Sequence, residues 1–294
     1  MISFGVLTLQ DRPWAELVEQ WRWLEELGCD TAWVADHFVS PVDAESDWFE
    51  GWTLLAALAT QTSSMRIGTL VSSMTLRNPA LLARQALTVD HISGGRLELG
   101  LGSAGRTPND HLMTGIPALS TGERISRFGE MVELVRRLLH DRVTTFEGEH
   151  HRVAGAIMAP PSVQRPAPPL VVAAIGPRTM RIAARFADRW NTMIGSRTPW
   201  GEVFEELRQR ADRFSELCVE VGRDPHAVGR SLLAYSPYLP DDLWRSETAF
   251  ADLVGTCESM GFTELIVDLP PPELRERFED HLARQLTRTE VPPR

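Results

Sequence analysis

The chain has no lysine: all 30 of its Lys+Arg residues are arginine. A Schiff-base aldolase, a pyridoxal-phosphate enzyme and a P-loop ATPase each depend on a particular lysine amine, so these chemistries are disfavoured. Cysteine is scarce as well. Cys29, Cys218 and Cys257 are far apart and odd in number, which gives neither a CxxC pair nor a disulfide framework. They read as small buried hydrophobes. No apolar run reaches membrane-spanning length, and the N-terminus shows no basic region or cleavage signal. The expectation is a cytoplasmic protein with no membrane partner. Basic runs are missing too, and the net charge is −10, which argues against nucleic acid as a partner.

What is present is a regular rhythm. The length of 294 residues and a hydrophobic content of 43% suit one β/α barrel domain spanning 1–294. Ile2–Leu9, Thr31–Ala35, Arg66–Val71 and Leu97–Leu101 read as strands. Helical patterns over Trp14–Leu27, Trp52–Gln61 and Pro79–Ile92 lie between them. The second half continues with a helix over Glu123–Leu139 and strands at Leu170–Ala174, Asn191–Ile194, Ser231–Tyr235 and Glu264–Asp268. Helices at Thr179–Ala187, Trp200–Val221, Glu247–Met260 and Glu273–Leu286 follow those strands. Alternation of this kind predicts a parallel sheet, and about eight units predict closure into a (β/α)8 barrel. An open doubly wound sheet is the rival that periodicity leaves standing. Two insertions interrupt the rhythm, one after strand four at Ser103–Gly122 and one before strand five at Arg142–Pro169. The second contains a hairpin turning near Glu147-Gly148. Pro160, Pro161, Pro166, Pro168 and Pro169 keep the link after it extended.

Active sites of β/α barrels are built at the C-terminal ends of the strands. Asp36 and His37 follow the second strand, where an imidazole can exchange protons and a carboxylate can bias it. Neighbours on a strand point to opposite faces, so the pair shares a site only if the backbone turns there. As a plain structural feature, Asp36 is a turn residue and His37 a packed rim residue. Leu97-Glu-Leu-Gly-Leu-Gly-Ser-Ala-Gly105 places small residues after a strand, where backbone can approach a phosphate or simply pack tightly. Val171-Val-Ala-Ala-Ile-Gly-Pro-Arg178 leads from a strand into a helix start suited to an anion or to an ordinary turn. Ile67–Ser73 is a strand ending in a small polar rim. His150 and His151 diverge on a hairpin strand and have no second ligand set, so no metal is expected.

Taken together, several segments resemble the luciferase-like oxidoreductases that use FMN or a deazaflavin. They are Trp33-Val-Ala-Asp-His-Phe38, Gly51-Trp-Thr-Leu-Leu-Ala-Ala57, Gly68-Thr-Leu-Val71, Arg77-Asn-Pro-Ala80, Ile92-Ser-Gly-Gly-Arg-Leu-Glu-Leu-Gly-Leu-Gly102, Phe146-Glu-Gly148 and Ala187-Asp-Arg-Trp-Asn191. The resemblance covers nearly the whole chain and implies a β/α barrel with insertions. It implies that Asp36 and His37 face a cofactor ring, with His37 the proton-transfer residue. It also implies a non-proline cis peptide at Leu70–Val71 or Val71–Ser72, placing Leu70, Val71 and Ser72 behind that ring. Gly102, Ser103 and Ala104, with Ala174, Ile175, Gly176, Pro177 and Arg178, become the other cofactor contacts.

The function it implies is hydride transfer between the deazaflavin coenzyme F420 and a small-molecule substrate. The alternatives are an FMN-dependent monooxygenase and a non-catalytic flavin-binding barrel. A homodimer is suggested by the likeness alone. Two features depart from the deazaflavin-dependent sugar-phosphate dehydrogenases. Ser103-Ala-Gly-Arg106 carries no acid after the strand-four turn, and Phe38-Val-Ser-Pro41 carries no tryptophan. Asp110 and Glu50 are the acids that could substitute, and spacing does not choose between them.

Overall fold

The computed structural model describes residues 2–104, 108–195, 198–235, 239 and 243–287. Its strands are β1 (Ser3–Thr8), β2 (Thr31–Val34), β3 (Arg66–Ser73), β4 (Leu97–Gly102), β5 (Val143–Glu147), β6 (Arg152–Ile157), β7 (Leu170–Ala173), β8 (Arg189–Met193), β9 (Gly229–Ala234) and β10 (Glu264–Asp268). The helices are α1 (Trp14–Glu26), α2 (Gly51–Leu58), α3 (Pro79–Ile92), α4 (Pro108–Leu112), α5 (Thr121–His140), α6 (Pro177–Phe186), α7 (Trp200–Glu220), α8 (Glu247–Ser259) and α9 (Arg275–Thr287). Eight strands close in the order β1-β10-β9-β8-β7-β4-β3-β2, and every pairing in that ring is parallel. Closure settles the choice left open by periodicity: the sheet is a barrel. Strands β5 and β6 stand outside it as an antiparallel hairpin.

The local causes are those the sequence carries. In α1 the buried residues Leu17, Val18, Trp21 and Leu24 recur at helical spacing, and Gly28 turns the chain at φ +83°. Strands β2, β4 and β10 are buried along their whole length, as parallel strands covered on both faces must be. The main core lies between barrel and helices. A smaller cluster of Leu7, Trp33, Leu70, Val171, Leu233 and Ile266 fills the barrel interior. Trp33 fits there because Gly68 has no Cβ, which would stand 2.5 Å from the indole.

Nearer the N-terminal ends of the strands, Glu98 on β4 pairs with Arg66 and Arg189, and Arg189 also holds Glu264 at 3.0 Å. Complete burial, opposed by Arg189, raises the Glu264 carboxyl to about 7.

Several boundaries differ from the sequence reading. β2 stops at Val34, so Ala35 already belongs to the turn. β3 runs on to Ser73 through a register shift between Thr69 and Ser72 against β4. The first insertion contains the short helix α4, and α6 begins at Pro177. The hairpin forms where expected, with Gly148 donating to the His151 carbonyl at 2.9 Å. All three cysteines are free and buried. No helix among the described residues is long and apolar enough to cross a membrane.

Candidate active site

A cavity of about 760 Å3 opens at the C-terminal mouth of the barrel. It is lined by Leu7 of β1, Ala35, Asp36 and His37 after β2, and Leu70, Val71 and Ser73 of β3. Gly102, Ser103 and Ala104 close one side, with Ala173, Ala174, Ile175 and Gly176 after β7 on another. Thr179, Asn191, Thr192 and Met193 complete the wall, with Leu233 and Tyr235 at the end of β9. The chain therefore converges on one site from the ends of seven strands.

Asp36 and His37 both line this cavity but are held in different ways. Asp36 is 2% exposed. It accepts from the Ser73 backbone N–H at 3.0 Å and from Arg77 Nε at 2.9 Å, and the Arg77 Nη2 closes a bidentate fork on it. Arg77 also reaches Glu50, whose carboxylate caps α2 by accepting from Trp52 and Thr53. Burial works against ionisation of Glu50, but Thr53 and Arg77 outweigh it and hold its carboxyl at about 2. Asp36 is thus a tie between β2, β3 and the segment leading into α3, and its lone pairs are largely committed.

His37 is 29% exposed at its side chain. Its Nδ1 lies 2.8 Å from Asp110 Oδ2, and the other oxygen of Asp110 accepts from the Phe38 backbone N–H at 2.8 Å. With Nδ1 engaged, Nε2 is the nitrogen left for a reacting group. Burial raises the Asp110 carboxyl, but His37 and Phe38 N–H outweigh it, so the group sits below the ordinary carboxyl range. Asp110 comes from α4, more than seventy residues along the chain from its partner. Trp48 Nε1 donates to the His37 carbonyl at 3.0 Å and fixes the turn from the other side. Of the two acids that spacing could not rank, Asp110 is the one on the imidazole, and Glu50 belongs to the Arg77 tie.

Other expected contacts divide in the same way. Leu70 and Val71 line the cavity, joined by a cis peptide bond. Ser72 does not line it. Its Oγ accepts from Trp52 Nε1 at 3.1 Å and shares a 2.8 Å bond with Thr69 on the barrel's outer side. Ser73 lines the cavity instead, and its buried Oγ has no hydrogen-bond partner. The bulge in β3 breaks the two-residue alternation of a regular strand.

Gly102, Ser103 and Ala104 are cavity residues. Ala104 takes φ +57°, and its carbonyl accepts from Arg124 of α5. Gly105 and Arg106 fall outside the described residues. Ala174, Ile175 and Gly176 line the cavity, whereas Pro177 and Arg178 are exposed and do not. Ser73, Arg77 and Arg124 were missed as site residues, and Asp110 was named only as one of two acids that could substitute. Arg77 stands in a quoted motif, but nothing local marks which carboxylate it reaches.

One group among the described residues has metal-ligand spacing: Glu130, Glu149 and His150, with ligand atoms within 4.8 Å of one another. The Glu130 carboxylate already accepts the backbone N–H groups of Glu149, His150 and His151 at 2.7–3.0 Å. That makes it the cap of the hairpin turn, lying outside the barrel.

Comparison with known proteins agrees with this architecture. An F420-dependent glucose-6-phosphate dehydrogenase from Amycolatopsis mediterranei (strain U-32) is 33% identical over 226 residues, covering 71% of this chain and 66% of the relative. A 5,10-methylenetetrahydromethanopterin reductase from Archaeoglobus fulgidus is 26% identical over 213 residues, covering 72% of this chain and 58% of the relative. The chain thus matches about two thirds of the length of the first and somewhat less of the second. The structure of an F420-dependent secondary alcohol dehydrogenase in complex with an F420-acetone adduct superposes with a TM-score of 0.80. It is 18% identical, covers 95% of this chain and 97% of its own, and so attests the fold. Residues 2–242 match the family described as Luciferase-like monooxygenase, and the chain belongs to that family of oxidoreductases.

Proposed function

We propose that the protein transfers a hydride between the deazaflavin coenzyme F420 and a small organic carbonyl or alcohol. The observation that carries this reading is His37 on the wall of the cavity with Asp110 bound to its Nδ1. Hydride transfer to a carbonyl needs a proton at the oxygen, and an imidazole oriented by a carboxylate is suited to deliver it. Relatives whose names are those of F420-dependent enzymes support the choice of cofactor.

The residues present fit a flat ring with an anionic tail. Ser73 Oγ is a buried hydroxyl with no partner inside the protein, so a polar edge of a ring would satisfy it. A Cβ on Gly176 would meet nothing within 4 Å, so the backbone there is open for close approach. Gly176 precedes α6, which has no side-chain cap, and the first free N–H groups of that helix favour an anion. Leu70, Val71 and Ala174 offer apolar surface for a ring face. When bound, the coenzyme supplies or accepts the hydride. The chain orients it, shields the site with aliphatic walls, and holds the proton on His37 Nε2. Asp110 keeps Nδ1 in place and balances the charge of the imidazolium.

The second reading, an FMN-dependent monooxygenase, rests on the family description. Titration of the purified protein with F420 and FMN side by side separates the two. Expected is saturable F420 binding, with FMN weaker by tenfold or more. Tighter FMN binding, or no F420 binding, overturns the proposal.

A further inference from the structure

We propose that Glu264 and the Trp33 indole form a proton-operated pair beneath the candidate active site, in which the charge state of Glu264 positions Trp33 in the floor of the cavity. The pair itself is argued from the barrel interior alone, and its effect on the coenzyme rests on the hydride-transfer reading above.

Two buried polar atoms carry the argument. Trp33 and Glu264 are both 0% exposed, yet Trp33 Nε1 and Glu264 Oε1 have no hydrogen-bond partner among the described residues. Unpaired polar atoms at such depth are costly and rare. The two meet over Gly5 of β1, where a Cβ would stand 2.8 Å from Trp33 Nε1 and 3.0 Å from Glu264 Oε1. The other carboxylate oxygen, Oε2, is held by Arg189 Nη1 at 3.0 Å. A proton on Glu264 therefore belongs on Oε1. There it sets an O–H against the indole N–H, donor against donor, and the pair stays apart. Loss of the proton turns Oε1 into an acceptor, and the N–H closes on it.

The surroundings keep both states within reach. The charged groups around Glu264 are Arg189 of β8, Glu98 of β4, Arg66 of β3 and Asp30 ahead of β2. Its ladder neighbours on β1 and β9 are Ser3 and Ser231. Arg189 is shared, since it also holds Glu98 at 2.5 Å, and Glu98 has Arg66 besides. Burial and the two acids oppose a charge on Glu264, whereas Arg189 and the indole N–H favour it. The carboxyl consequently stands at about 7, where it changes charge in ordinary buffers. Arg66 and Arg189 are 35% and 23% exposed at their side chains, so water reaches this end of the barrel and can take the proton.

Trp33 links the pair to the site. Its ring packs in the barrel interior with Leu7, Leu70 and Leu233, and these three also line the cavity. Glu264 opens β10, so it lies on the side of the indole away from the barrel mouth. An indole drawn onto Oε1 moves away from the cavity floor, and one held off Oε1 presses on Leu7 and Leu70. A close-packed interior passes such a displacement on. Deprotonation therefore lowers the floor, and the coenzyme is held more tightly in the ionised state.

The test follows the indole N–H resonance of Trp33 by NMR in the full chain without coenzyme, assigned among the nine tryptophans by its loss in Trp33→Phe. Expected is a downfield shift in one step centred at about pH 7, as the N–H closes on the carboxylate. Glu264→Gln places an amide N–H where the acid O–H stood, and is expected to abolish the step and leave the resonance at its low-pH position. F420 binding is then measured by fluorescence. The dissociation constant is expected to be at least about fivefold lower at about pH 8 than at about pH 6, the low end of coupling between two sites. That difference should persist in His37→Ala and vanish in Trp33→Phe. A parent resonance that does not move with pH overturns the proposal, whether or not Glu264→Gln folds. So does a step that survives in Glu264→Gln. A binding difference that persists in Trp33→Phe, or is lost in His37→Ala, overturns the link to the site. Failure of F420 to bind at any pH, with the resonance still titrating, overturns the coenzyme reading alone.

Discussion

Replacing Asp36 by alanine separates holding the site from doing chemistry in it. The carboxylate is 2% exposed, and Arg77 opposite it is 15% exposed at its side chain. Removing one partner of a buried, hydrogen-bonded ion pair costs about 3–5 kcal/mol, because the other charge is left behind. Arg77 still has Glu50, whose side chain is 48% exposed, so the residual charge is partly met. The Ser73 N–H loses its acceptor, which adds to the loss. The balance favours the lower end, about 3–4 kcal/mol. At roughly 2–4 °C per kcal/mol for a domain of this order, Tm should fall by roughly 6–16 °C. Urea unfolding followed by tryptophan fluorescence measures the same loss.

His37→Ala should behave in the opposite way. Its side chain is partly exposed and Asp110 keeps the Phe38 N–H, so stability should change by no more than about 1–2 kcal/mol. Turnover with F420 should fall roughly 100- to 10,000-fold, the usual reach of a general acid–base group. An Asp36→Ala protein that unfolds within about 1 kcal/mol of the parent refutes the reasoning on buried pairing. An Asp36→Asn protein of normal stability but without turnover refutes the assignment of roles.

Two other predictions follow from packing and charge. A Cβ on Gly102 would stand 2.2 Å from Val71 Cγ2, so Gly102→Ala must drive Val71 into the cavity. Overpacking of about 1–3 kcal/mol corresponds to roughly a 5- to 150-fold rise in the F420 dissociation constant, read by fluorescence titration; unchanged affinity would refute the placement of Val71. Glu25 receives the backbone N–H groups of Ser63, Ser64 and Met65, which outweigh burial and hold its carboxyl at about 2 instead of 4.5. A depressed carboxyl stabilises the fold above its ordinary range, and that contribution is lost as pH falls from about 4.5 towards about 2. Between about pH 5 and about pH 3 the Tm of the parent should therefore drop more steeply than that of Glu25→Gln, and parallel curves would exclude this role.

The contrast between Ser72 and Ser73 shows how far the sequence carries. The family likeness places Ser72 among the cofactor contacts, yet the register shift turns it towards Trp52 and brings Ser73 to the cavity. A bulge depends on how β3 meets β4, so no window around residue 72 contains it. Asp110 is a similar case. Its place beside His37 depends on where α4 lies across the mouth, and that segment has no periodicity of its own to read.

The sequence by itself determined the alternation of strands and helices, the insertions that interrupt it, and the position of Asp36-His37 at a strand end. Those features are local: side-chain periodicity, helix starts and turns are set by residues a few positions apart. Tertiary structure decided barrel closure, the pairing of His37 with Asp110, and the tying of Asp36 to Arg77. Each joins groups distant in the chain, and a contact between them exists only once the barrel brings its strand ends together.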